Sequence, residues 1–82
     1  MEVAMFSFRL EVPETQRDLI IDQVRAWDGV VDARRLFPDG LTPEIRSMCY
    51  AYITDETDPS TLVARLEGVP EIANAFVPPL RT

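Results

Sequence analysis

Along this chain the spacing of hydrophobic residues switches from every second position to every third or fourth and back again, twice, in the same order. Residues 3–12 alternate: Ala4, Phe6, Phe8 and Leu10 share one face, and Met5, Ser7, Arg9 and Glu11 the other, until Pro13 closes the run. That pattern predicts a half-buried strand. In residues 13–29 the apolar residues Ile20, Val24 and Trp27 fall at helical spacing; Thr15 is the expected N-cap, with Asp18 three residues on, and Gly29 the stop. Residues 30–37 are rich in β-formers and run into a Pro-Asp-Gly turn. A linker, residues 38–45, leads to a third strand that places Ile45, Ser47, Cys49, Ala51 and Ile53 on one face and Arg46, Met48, Tyr50, Tyr52 and Thr54 on the other. The second helix has readable ends: Asp58 as cap, Pro59 in the first turn, Leu62 and Leu66 one turn apart, and Gly68 at the stop. Residues 72–77 form the last strand, which Pro78 and Pro79 end.

The order βαββαβ in 82 residues predicts an α+β, ferredoxin-like sandwich: a four-stranded antiparallel sheet with both helices on one face. One domain over residues 1–82 is expected, with 78–82 as a C-terminal tail.

Several chemistries are excluded by what the chain does not contain. Histidine is absent, which removes a His-based acid/base, a His–Cys nucleophile pair and a His-containing zinc site. The single cysteine, Cys49, cannot form an intramolecular disulfide or a paired-thiolate site, and on the face of Ala51 and Ile53 it is expected to be a buried, inert thiol. Gly29, Gly40 and Gly68 stand too far apart for a phosphate-cradling loop. The acidic run at residues 55–58 is explained by a helix N-terminus without a calcium ion, and Trp27 by a place in the core. No catalytic residue, metal or cofactor is expected, and the chain is read as a non-enzyme. A net charge of −6, with every basic residue an arginine, opposes binding to phosphate backbones and anionic membranes. No apolar stretch approaches the ~20 residues that span a bilayer. A soluble, cytoplasmic protein is expected, or a secreted one whose leader is removed.

Function is then expected on the sheet face that the helices leave open. With Phe6, Phe8, Ala51 and Ile53 turned inward, Met5, Arg9, Met48, Tyr50 and Tyr52 form the outward patch. Methionines, tyrosines and arginines together are typical of an association surface, for a partner or for a second copy of the chain.

Two resemblances bear on that patch. Residues 46–53 can be laid on the basic–glycine–aromatic signature of RNA-recognition motifs, and residues 28–40 resemble the segment before it. Ser47 and Cys49 stand at the glycine-type positions and Met48 at a stacking aromatic, and the chain has no lysine, so nucleic acid is the disfavoured partner. Over most of its length the chain also resembles subtilisin propeptides and the stand-alone peptidase inhibitors related to them. Leu62, Leu66, Pro70, Ile72 and Phe76 fall at that family's leucine–leucine–proline–strand positions, residues 6–12 resemble its first strand, and residues 27–37 its passage into the second. The resemblance implies an inhibitor or folding chaperone of a subtilisin-like serine protease. The open sheet face would press on the protease surface, and Pro79, Leu80, Arg81 and Thr82 would lie in the active-site cleft. The acids that the family carries near its last strand are not at the matching positions here, which leaves Asp39 or Glu44 of the long loop to cap the protease helices. A third reading is a domain that dimerises or senses a small ligand.

Overall fold

The computed structural model describes residues 2–78. Their elements are β1 (Glu2–Phe8), α1 (Glu14–Arg25), β2 (Val30–Arg35), the short α2 (Pro43–Arg46), β3 (Met48–Ile53), α3 (Pro59–Glu67) and β4 (Ile72–Phe76). The four strands form one antiparallel sheet in the order β2-β3-β1-β4, the ferredoxin-like arrangement with β1 and β3 at its centre.

Both long helices pack on the same face. Ile20, Ile21 and Val24 of α1 and Leu62 and Leu66 of α3 join Ala4, Phe6, Phe8, Ala33, Cys49, Ala51, Ile53, Ile72 and Ala75 in one buried core. Phe6 and Phe8 meet edge to face, with centroids 5.8 Å apart. Trp27 packs against the core's rim just beyond α1, and the Arg65 guanidinium lies 4.2 Å over its ring. Both ends of α3 are as the sequence indicates. The Asp58 side chain accepts from the Ser60 amide at 3.0 Å, and the helix stops at Gly68. Gly29 is needed for its backbone: its φ is +85°, and a Cβ there would come within 2.3 Å of Thr57 Oγ1.

Three local expectations change. First, β1 ends at Phe8, so Leu10 lies outside the sheet and is 51% exposed. The chain turns back there, with the Val12 amide donating to the Arg9 carbonyl at 3.1 Å. The device that holds the turn is Arg17, a residue the helical spacing marks only as polar. It is 5% exposed, and its Nε donates to the Val12 carbonyl at 2.9 Å. Its Nη2 reaches the carbonyls of Leu10 at 3.3 Å and Arg9 at 3.4 Å, so one guanidinium satisfies three backbone acceptors.

Second, α1 begins at Glu14, not after a Thr15 cap. Pro13 occupies the cap position with extended geometry and no side-chain cap bond. Third, Ile45 and Arg46 belong to α2 and not to β3. Thr42 caps α2 through its hydroxyl, which accepts from the Ile45 amide at 3.2 Å, and Pro43 starts it. Threonine before proline and glutamate is a helix start that the sequence does carry.

On β4 an irregularity opposite Ser7 and Phe8 puts Asn74 against Ser7 and Ile72 against Phe8, leaving Ala73 as an extra residue. Ile72 and Ala75, three apart, therefore both reach the core. A similar slip at Val31 of β2 lets Val30 and Ala33 both face inward.

The edge strand β2 is bound to α1 by charge. Arg35 pairs with Glu14 and, at 2.9 Å, with Asp18. Arg25 pairs with Asp22 at 2.8 Å and with Asp32 at 3.1 Å. The Arg35 hydrogen bond holds the Glu14 carboxyl below the usual carboxylate range, although that carboxyl is well exposed.

Candidate docking face

The antiparallel register assembles the outward face row by row. Arg34 of β2 lies beside Tyr50 of β3, Tyr50 beside Met5 of β1, and Met5 beside Phe76 of β4. The next row runs Asp32, Tyr52, Val3, and the row on the other side Met48, Ser7, Asn74. In β1 and β3 these residues alternate with the buried core residues, which places them on the face away from both long helices. Met5, Met48, Tyr50 and Tyr52 are thus brought together as the alternation predicts.

At the centre of the face Tyr50 and Tyr52 pack edge to face, with ring centroids 5.1 Å apart and planes at 73°. Together with Val3, Met5 and Leu36 they line a shallow apolar hollow of about 300 Å³. Tyr52 and Phe76 are exposed, and Val3, Met5, Met48 and Tyr50 are partly covered by one another. A surface of this kind has apolar area to lose to a partner while its phenolic hydroxyls remain free to form directed bonds.

Arg9 is not part of it. It stands past the end of β1, where its amide donates to the Glu71 carbonyl at 2.9 Å and its Nε to the Pro70 carbonyl, also at 2.9 Å. Its role is to fasten the end of β1 to the entry of β4. The cation that does lie beside the tyrosines is Arg34, and Asp32 holds its Nε at 2.7 Å. Hydrogen bonding to Arg34 lowers the Asp32 pKa, and the same bond raises that of Arg34, so the two neutralise each other in the free protein.

Sequence reasoning missed Phe76, Leu36 and Arg34. Val3 was open to it, because the alternation that selects Met5 selects Val3 as well. Phe76 depends on the β4 register, and Leu36 on the path of the chain leaving β2, where its amide donates to the Met48 carbonyl at 2.9 Å. From Leu36 the apolar surface continues onto the loop before β3. Phe37 and Ile45 are exposed there, and Leu41 is 94% exposed. The turn is pinned by Arg46, whose Nη1 donates to the Gly40 carbonyl at 3.0 Å. Asp39 shares a second small hollow with Leu36 and Phe37, and Glu44 sits in the first turn of α2.

Cys49 is 1% exposed on the helix side of β3, where burial pushes its thiol up to about 12. A group so placed is a packing residue. The tail residues Pro79, Leu80, Arg81 and Thr82 lie outside the described residues. No helix among the described residues is long and apolar enough to cross a membrane. In comparisons with protein-family models, curated proteins and solved structures, nothing matches the chain.

Proposed function

We propose that this chain is a non-catalytic protein-binding domain that docks a partner on its open sheet face, and that the partner is a subtilisin-like serine protease which it inhibits or helps to fold. The observation that carries the docking reading is the cluster of Tyr50, Tyr52, Met5, Val3, Leu36 and Phe76 on the face away from α1 and α3. Aromatic residues and methionine at the centre of a patch, with charge confined to the rim pair Arg34–Asp32, suit a protein surface better than a phosphate backbone. The choice of protease rests on the resemblance of residues 62–76 and of the first two strands to subtilisin propeptides. In that reading Pro79 to Thr82 leave β4 and enter the cleft.

The test is a titration of the purified domain against a panel of subtilisin-like proteases, following a small chromogenic substrate. Saturable inhibition is expected. Tyr50→Ala and Tyr52→Ala should each weaken it roughly tenfold or more, as loss of a central aromatic anchor does. Removal of residues 79–82 should abolish inhibition and leave the thermal transition in place. Full inhibition by the truncated chain would refute the cleft mechanism. A folded domain that inhibits no member of the panel would refute the choice of partner.

A further inference from the structure

The two edges of the sheet are treated differently. On β2 the backbone of Ala33 is occupied by side chains: Arg25 Nη2 donates to its carbonyl at 2.7 Å, and Asp32 Oδ1 accepts from its amide at 2.9 Å. Asp32, Arg34 and Arg35 add charge along that strand, and the slip at Val31 breaks its regularity. These are the features that keep a sheet edge from pairing with another chain.

β4 forms the opposite edge and has none of them beyond Ala73. Residues 72–77 carry no charge, and proline comes only after the strand, at Pro78. Backbone direction follows from the neighbouring strand. The Phe8 amide donates toward β3, to Ser47, and the Arg9 amide toward β4, to Glu71. Alternate peptide groups point to opposite sides, so Ser7–Asn74 and Met5–Phe76 are the hydrogen-bonded pairs between β1 and β4. The amide and carbonyl of Ala75 therefore point away from β1, and no partner strand lies on that side among the described residues. Phe76 and Val77 add exposed apolar side chains, 40% and 42% accessible, at the same edge.

From this asymmetry we infer that β4 is an interface with a second copy of this chain, β4 pairing antiparallel with its counterpart about a two-fold axis and joining two sheets into one of eight strands. The occupant is a second copy because the edge suits itself. Two chains of net charge −6 repel, and the uncharged stretch from Ile72 to Val77 is where they can approach without opposing like charges. A two-fold at Ala75 sets its outward amide and carbonyl against those of its own copy and brings Asn74 of each chain beside Phe76 of the other. A five-residue strand spans about 17 Å, a short contact, so the dimer is weak, and screening of the repulsion by salt strengthens it. This interface shares Phe76 with the open face and otherwise lies at the sheet edge, and it does not depend on the identity of the docked partner.

Sedimentation equilibrium of the whole chain from about 10 μM to about 1 mM should show a monomer–dimer transition. Hydrogen exchange at the Ala75 amide should slow at least tenfold between the ends of that range. Ala75→Pro deletes an amide that points away from β1, and Ala73→Lys places a charge on the edge at an exposed residue. Both should be monomeric throughout, while Tyr50→Ala on the open face should still dimerise. Should the proline variant not fold, Ala73→Lys carries the comparison. A monomer at every concentration overturns the inference. So does a dimer that survives Ala73→Lys, or an Ala75 amide whose exchange ignores concentration.

Discussion

Replacing Arg17 with methionine separates the packing of its stem from its hydrogen bonds. Methionine keeps an unbranched chain of comparable reach against Phe8, whose ring centroid lies 5.8 Å from the guanidinium carbon. It removes every donor. The bond from Nε to the Val12 carbonyl is short and buried, and as a charge-assisted bond it contributes about 1.5–3 kcal/mol. The two bonds from Nη2 are long, 3.3 and 3.4 Å, and together contribute about 1 kcal/mol. Loss of the cation over Phe8 removes roughly 0.5–1 kcal/mol more. Against this, the variant no longer buries a guanidinium whose nearest carboxylate, Glu14, is 3.9 Å away and largely in water. That relief offsets part of the loss, and only part, because three carbonyls already take the place of water around the guanidinium. The net loss is about 2–3 kcal/mol, which for a domain of this size lowers the midpoint of thermal unfolding by roughly 10–20 °C. Urea titration followed by Trp27 fluorescence measures it directly, since Trp27 is fixed between the core and Arg65. A loss below about 0.5 kcal/mol would instead mean that water satisfies the three carbonyls as well as Arg17 does.

Two further perturbations test the packing. The Cys49 thiol should not react with a disulfide reagent at pH 8 until the chain is unfolded. Because its folded pKa, about 12, lies above the ordinary thiol value, the proton it keeps stabilises the fold below pH 9. That stability is lost as pH rises from there toward 12, at roughly 1 kcal/mol per pH unit relative to Cys49→Ala. Equal alkaline slopes for the two proteins would show that the thiol is not buried. Gly29→Ala should cost about 2–4 kcal/mol, measured by urea unfolding, from a positive φ and a contact with Thr57. Adding Thr57→Ala should recover the steric share and leave about 1–2 kcal/mol of backbone strain. No recovery in the double variant would show that Thr57 is not the obstacle.

The parts of this protein that are legible in its sequence are those in which the signal is local. Alternation over residues 3–8 and 48–53 fixes which side chains share a face, because consecutive residues of a strand point to opposite sides whatever the strand pairs with. Asp58, Pro59 and Gly68 bound α3 through backbone geometry that a few neighbouring residues determine. From these the six-element order, the α+β class and four members of the open patch follow. Pairing, in contrast, joins residues far apart in the chain. That Phe76 sits beside Met5, that Arg34 flanks Tyr50 and that Ala73 is the extra residue of β4 depend on register between strands, which no short window encodes. Arg17 reads as one more polar residue on a helix until the turn at residues 9–12 delivers three carbonyls to it. Arg9 continues the alternation of β1, yet the tertiary structure takes it out of the patch, because the carbonyls of Pro70 and Glu71 arrive there and bind it. Local sequence signals determine the order of the four strands and two long helices and the faces of β1 and β3, but not α2 or the faces of β2 and β4. The tertiary structure decided which of those faces touch, because the backbone groups and side chains that meet there become neighbours only when the sheet closes.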